Sequence, residues 1–358
     1  MHSNDTTLAN GLRLLCHEPF NAETLLDRHQ GTLTPNAAFY KRNHFAIPQL
    51  DRQGWRLHVG GEVEHQRQFT YDDLLALPRH TLPATLECAG NGRNQLQPQA
   101  EGEQWGYGAV SAAEWTGARL RDVLAAAGVK PTAREIVFVG ADTGYKEAAG
   151  GTIAFERSLP VEQALHPDTL VAYQMNDETL PTEHGFPARL IVPGWYGMAS
   201  VKWLTRIEAS AAPFDGYFQA RQYVLRRPED DAVGALGTPL TVTRPRALFV
   251  SPTDGAALAT GWHTLRGLAW SGVTPISRVN VSVDGGASWH TATLHDVGSA
   301  PAYVWREWEY SWDAATSGPA MLLCVVHDEA GNTQPAEPEW NRLGYANNAI
   351  QRVAVTVG

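Results

Sequence analysis

Only three cysteines, Cys16, Cys88 and Cys324, occur in the 358-residue chain. They are too far apart for a CxxC pair, which excludes a zinc knuckle, an iron–sulfur run and a disulfide framework. The haem-attachment pattern CxxCH is also missing. No window approaches 18 uninterrupted apolar residues, and Met1-His2-Ser3-Asn4-Asp5 has no leader pattern. The expectation is a soluble, cytoplasmic protein, or a periplasmic one if a leader has been removed. Lysine is scarce, 4 residues against 24 arginines, and the net charge is −10. A net-negative surface lacks the electrostatic term that dominates duplex binding, so nucleic acid is excluded as the expected partner. The arginine bias fits either a GC-rich genome or oxyanion binding, for which the guanidinium fork is suited.

What is present is globular: 43% hydrophobic and 18% charged residues over a length of about two to two and a half ordinary domains. Residues 1–54 are polar and poorly periodic and read as an extended arm over a core. Residues 55–230 mix strand and helix signals. Trp55 to Val59 alternates; Tyr71 to Leu75 after Thr70 reads as a capped short helix ended by Pro78. Leu120, Val123, Leu124 and Ala127 have helical spacing, with Gly128 as the stop. Strand-like runs follow at Glu135 to Val139, Leu170 to Met175 and Arg189 to Val192. The order lacks regular βαβ repetition and points to an α+β layer structure. A charged and then Gly-rich stretch from Arg226 to Pro239 reads as a domain boundary. Residues 238–358 carry short alternating runs, at Arg278 to Val283, Trp305 to Tyr310, Met321 to Val326 and Arg352 to Val357, as in an immunoglobulin-like β-sandwich.

The most informative segment is Thr85-Leu86-Glu87-Cys88-Ala89-Gly90-Asn91-Gly92-Arg93, an alternating strand running into small residues. A cysteine there, with a backbone that a bulky group can approach, suits a reactive or metal-bound thiolate; the other reading is an inert packed thiol. Tyr40-Lys41-Arg42-Asn43-His44-Phe45 and Glu183-His184-Gly185-Phe186-Pro187-Ala188-Arg189 each place His and Arg in stretches of little period, where either residue alone is commonly just solvated or structural.

Together with Ser200-Val201-Lys202-Trp203, these segments resemble the sulfite oxidase family of molybdenum-cofactor enzymes in order and spacing, and the resemblance runs from about residue 17 to the C-terminus. It implies a molybdopterin-binding catalytic domain followed by the sandwich. It implies Cys88 as thiolate ligand of molybdenum, a soft donor that suits an oxo-metal centre. It further implies Asn43, His44, Asp142, His184, Arg189, Ser200 and Lys202 along the pterin, Arg42, Arg93 and Arg278 as substrate arginines, Trp105 as aromatic wall and Tyr223 as phenol donor, with Tyr217 the nearest competitor. Arg278 would complete the site from the sandwich.

Departures from the family pattern are Gly92 where Arg is common, Thr182-Glu183 before His184, Met198, and Gln222 beside Tyr223. The implied activity is oxidation of sulfite to sulfate with electrons passed to an external acceptor, cytochrome c or dioxygen, and with neither haem nor flavin. The nearest alternative is a nitrate reductase-like oxyanion oxidoreductase; a cofactor-free binding or adhesion protein is an alternative of another class. A homodimer through the sandwich is implied, with Trp305, Trp308 and Trp312 as a candidate apolar face.

Overall fold

The computed structural model describes residues 6–29, 31–226, 237–296 and 303–358. Residues 1–5 of the arm and most of the 226–239 stretch lie outside the described residues. Strand dominates the rest. Among the described residues, α-helix is confined to Tyr71–Ala76, Leu120–Ala127 and Val161–Ala164. The first begins where Thr70 Oγ1 accepts from the Asp73 amide and the Asp73 carboxylate accepts from the Thr70 amide, a reciprocal cap that satisfies two orphan donors. The second ends at Gly128, in the left-handed region at φ 70°.

Two five-stranded sheets make the α+β part. One runs Glu178–Thr179, Leu170–Met175, Val110–Arg119, Arg79–Glu87, with Arg189–Ile191 also pairing to Leu170–Met175. The other runs Arg67–Phe69, Leu57–Gly61, Leu204–Ser210, Glu135–Lys146, Gly151–Pro160. The main apolar cluster includes Leu57, Leu124, Phe138, Leu190 and Ile207, all fully buried. The arm is less featureless than its composition suggests: Leu12–Cys16 and Asn21–Thr24 pair antiparallel, and Ala22 and Lys41 exchange backbone hydrogen bonds.

The C-terminal part is a sandwich of a four-stranded sheet (Arg246–Ser251, Gly261–Trp270, Arg306–Ala314, Thr293–Leu294) and a five-stranded one (Ala256–Leu258, Gln351–Val357, Gly318–Asp328, Ile276–Ser282, His290–Thr291). Phe249, Leu265 and Trp308 of the first meet Val281, Leu322, Cys324 and Val353 of the second, the alternation expected of facing sheets. The four-stranded sheet also packs outward: Leu248, Leu268, Trp270 and Trp305 form one apolar cluster with Val110 and Ala112 of the other part. Trp305 and Trp308 are each 1% exposed, so they are spent inside one chain and are not the apolar face expected of them. Trp312 is half-buried against the sandwich core. The most exposed tryptophan is Trp262, at 74%.

Candidate active site

Strand Arg79–Glu87 delivers Cys88 to a tight loop. The Cys88 amide donates to Ala109 O at 2.8 Å, the Asn91 amide to Cys88 O at 2.9 Å and the Arg93 amide to Gly90 O at 3.0 Å. Cys88 is 7% exposed and lies where two cavities meet. Arg42, Cys88 and Tyr223 line both of them.

The inner cavity is a narrow slot of about 60 Å³. Arg42, Asn43, His44, Cys88, Asp142, His184, Arg189, Ser200, Lys202 and Tyr223 all face it. The arm supplies the first three and strand Glu135–Lys146 supplies Asp142. His184 ends the short turn Thr182–His184, and Gly185 follows at φ 114°. A Cβ on Gly185 would come within 3.0 Å of the Arg189 Cβ and 3.1 Å of the Lys202 Cβ, so the missing side chain lets these walls close. Arg189 donates to His184 O at 2.9 Å and Ser200 O at 3.0 Å. Lys202 donates to Glu183 O at 3.0 Å and to the Asn43 side chain. His184 Nε2 donates to Asn36 O at 3.1 Å.

Burial controls the charge states here. It pushes His184 down to about 3, with Lys202 and Arg189 adding to the effect. Burial and Arg42 likewise hold His44 well below the usual imidazole range. Burial and Arg189 depress Lys202, and burial raises Asp142 to about 6 against the pull of Lys202. Two polar atoms of the slot, Asp142 Oδ1 and Arg189 Nε, are buried with no hydrogen-bond partner. Orphaned groups of that kind call for a ligand. A flat, polar, anionic group edged by one thiolate fits the slot and its donors. Among the described residues no group of three or more His, Cys, Asp or Glu is placed to hold a metal ion by itself.

The outer cavity is roomier, about 500 Å³, and basic. Besides the three shared residues, Arg93, Trp105, Lys146, Tyr217, Arg221 and Arg226 line it, opposed by Glu101 and Glu103. Arg93 is 4% exposed and donates from Nε to Leu343 O at 2.9 Å and from Nη1 to Glu103 O at 2.7 Å. The Tyr345 ring lies 4.8 Å from its guanidinium carbon. Tyr223 places its hydroxyl 2.6 Å from His44 Nε2, and burial raises its phenol pKa despite Arg42. Tyr217 instead donates to Gln222 Oε1 at 3.0 Å, and Gln222 Nε2 donates to Tyr345 at 3.1 Å.

Thus twelve of the thirteen expected site residues share the two cavities; Arg278 does not. It is exposed on strand Ile276–Ser282, whose Ile276, Val279 and Val281 take the inward positions, so its side chain points to the outer face of the sandwich. The expectation that Arg278 lines the substrate pocket is corrected. The sandwich does reach the site, through Arg342, Leu343 and Tyr345. The polar, aperiodic run Trp340-Asn341-Arg342-Leu343-Gly344-Tyr345-Ala346-Asn347-Asn348 was the available signal for it. Cys16 donates to Glu18 O at 3.3 Å, and Cys324 is fully buried in the sandwich core; neither lines these cavities.

Comparison with known proteins bears on this arrangement directly. Residues 44–218 match the family described as "Oxidoreductase molybdopterin binding domain", and residues 244–358 match "Mo-co oxidoreductase dimerisation domain". The chain is 36% identical to mitochondrial sulfite oxidase of Mus musculus over 99% of its own length and 67% of that protein's. It is 35% identical to sulfite oxidase of Gallus gallus, over 96% and 77%. NADH nitrate reductase 1 of Oryza sativa is 33% identical over 97% of this chain but only 41% of its own. Among solved structures, the sulfane dehydrogenase SoxCD of Paracoccus pantotrophus superposes with a TM-score of 0.81 at 32% identity, covering 93% of this chain and 83% of that one.

Proposed function

The chain belongs to the sulfite oxidase family of molybdenum-cofactor oxidoreductases, and from that premise we propose that it oxidises sulfite to sulfate. One turnover joins sulfite and a water-derived oxygen, giving sulfate, two protons and two electrons. When bound, the molybdenum–molybdopterin group supplies the oxo transfer and takes up the electron pair. The observation that carries the reading is the position of Cys88, Arg42 and Tyr223 on the wall common to the slot and the basic cavity.

The chain's own residues divide the remaining work. Cys88 is the metal ligand; burial disfavours its thiolate, and Arg42, whose charge favours that form, is the strongest counterweight. Asn43, His44, Asp142, His184, Arg189, Ser200 and Lys202 hold the pterin and its phosphate. Arg42 and Arg93 bind the oxyanion, with Arg93 held in place by Nε and Nη1 on backbone carbonyls. Fixed donors of this kind need no reorganisation when charge shifts on the substrate. Tyr223 stays protonated beside a neutral His44 and so serves as a donor, and Trp105, fully buried, excludes water from the apolar side.

The same proposal includes residues 1–54 as arm, 55–230 as catalytic domain and 238–358 as the sandwich through which two copies pair. Electrons pass to an external acceptor, cytochrome c or dioxygen, without a haem or flavin of the chain's own. Among the described residues no helix is long and apolar enough to cross a membrane; we place the protein in the cytoplasm, or in the periplasm after loss of a leader.

Stopped-flow mixing of the purified holo-protein with sulfite tests the reading. With molybdenum near one atom per chain, sulfite bleaches the thiolate-to-metal absorption within the dead time of turnover. A metal-loaded protein whose spectrum ignores sulfite refutes it.

A further inference from the structure

Behind the Cys88 loop, away from both cavities, a buried ion pair crosses between the two parts of the molecule. Arg246 on strand Arg246–Ser251 donates from Nη1 to Glu87 Oε1 at 2.8 Å, and the two side chains are 1% and 3% exposed. Trp270, on the neighbouring sandwich strand, donates from Nε1 to Glu87 Oε2 at 2.9 Å. Asn91 donates to Glu87 Oε1 at 3.0 Å, so the carboxylate just before Cys88 accepts from three side chains.

The loop itself is gripped from the same side. Arg246 Nη1 also donates to Asn91 O at 3.1 Å, Asn347 Nδ2 to Gly92 O at 2.8 Å, and the Ala346 amide to Ala89 O at 2.8 Å. Three carbonyls of residues 89–92 therefore accept from donors on the sandwich side. Gly92 sits at φ 77°, and a Cβ there would stand 2.4 Å from Arg246 Nη2, so the guanidinium occupies the space that any side chain at 92 would need. Arg246 Nε and Nη2 have no partner. A buried pair of this kind is seldom more stabilising than apolar residues of equal volume; its bonds all converge on one short loop.

We propose that Glu87, Arg246 and Trp270 are positioning residues, a clamp by which the sandwich fixes the loop 88–93 and so sets the spacing between Cys88 and the Arg93 guanidinium. The inference deepens the reading of Cys88 as molybdenum ligand and rests on it. Its geometric content concerns the protein alone. The clamp makes the loop as rigid as the sandwich core, because opening it requires breaking bonds to two elements at once.

Hydrogen exchange on the cofactor-free full chain tests the rigidity first. The amides of Cys88, Asn91, Gly92 and Arg93 should exchange no faster than those of strand Gly261–Trp270; exchange more than about tenfold faster, by local opening, overturns the proposal. Trp270→Phe and Arg246→Lys then loosen the clamp while keeping the ring and the charge. Each should speed exchange at 88–93 by about tenfold over the sandwich strands. In the metal-loaded protein each should shift the Mo(V) electron-resonance signal and lower kcat about tenfold with KM for sulfite within about twofold. Lower melting temperatures with unchanged loop exchange, signal and kcat would make the pair only a fastener between the two parts, and the proposal falls. Metal analysis and sulfite bleaching of the unaltered protein report separately on the ligand reading, so the failure of one is distinguishable from the failure of the other.

Discussion

The inner slot and the outer cavity share a wall but are built on different principles. The slot is closed by the α+β part and its arm alone, and two of its cations are tied within that part, Arg189 to His184 O and Ser200 O and Lys202 to Glu183 O and the Asn43 side chain. The outer cavity depends on the sandwich: Arg93 is anchored on Leu343 and Tyr345, 250 or more positions away. Lining the slot is thus a property of the α+β part and its arm, whereas fixing the Cys88 loop and the substrate guanidinium is a property of the junction.

That contrast breaks most sharply at the shared residue. Cys88→Ser should cost more than about 100-fold in turnover, exceeding what loss of an outer-shell partner costs a metal site, with substantial pterin retained by the slot; steady-state assays with metal and pterin analysis measure both.

Acid probes the junction next. His29 of the arm is buried edge-on to Trp305 at 4.9 Å, neither ring nitrogen has a partner, and burial lowers it to about 4. The unfolded chain takes that proton near 6.5, so the stability His29 contributes is full above 6.5 and drains as the pH falls toward 4. The loss should reach about 3 kcal/mol. Denaturant melts across that window, compared with His29→Phe, should show the slope flattening in the variant.

A smaller effect belongs to the substrate side. Tyr345→Leu removes the ring beneath Arg93 and should raise KM for sulfite roughly 2- to 30-fold, the range of a cation–π contact, with kcat and molybdenum content nearly unchanged; Tyr345→Phe, which keeps the ring, should move KM less. Smallest of all, Arg278→Met on the outer face should leave kcat and KM within about twofold. A KM shift there as large as that of Tyr345→Leu would return Arg278 to the substrate site.

Legibility in the sequence followed range. The helix Tyr71–Ala76 was readable because its cap is written three residues apart, and Leu170–Met175 because five of its six residues are apolar or aromatic. Strand Glu135–Lys146 is seven residues longer than its apolar run suggests, since Gly140 and Gly144 interrupt the pattern while the ladder continues. In the site, residues inside compact aperiodic stretches, such as His44 and His184, were identifiable by resemblance. Tyr345 and Arg246 were not, because their roles lie in contacts about 120 to 250 positions apart that no local spacing encodes. Arg278 misled for a related reason: alternation says that a strand has two faces, but not which of them looks toward a neighbour.

The bond from Arg93 Nε to Leu343 O limits how this architecture can be re-engineered. A chimera that grafts the N-terminal part onto a foreign sandwich would keep the slot's lining side chains, yet its anion-reading arginine would lose its backrest and its Cys88 loop the bonds from Arg246 and Asn347. Unless the donor loop around 341–347 travels with the graft, such a hybrid becomes a metalloprotein with poor affinity for its oxyanion.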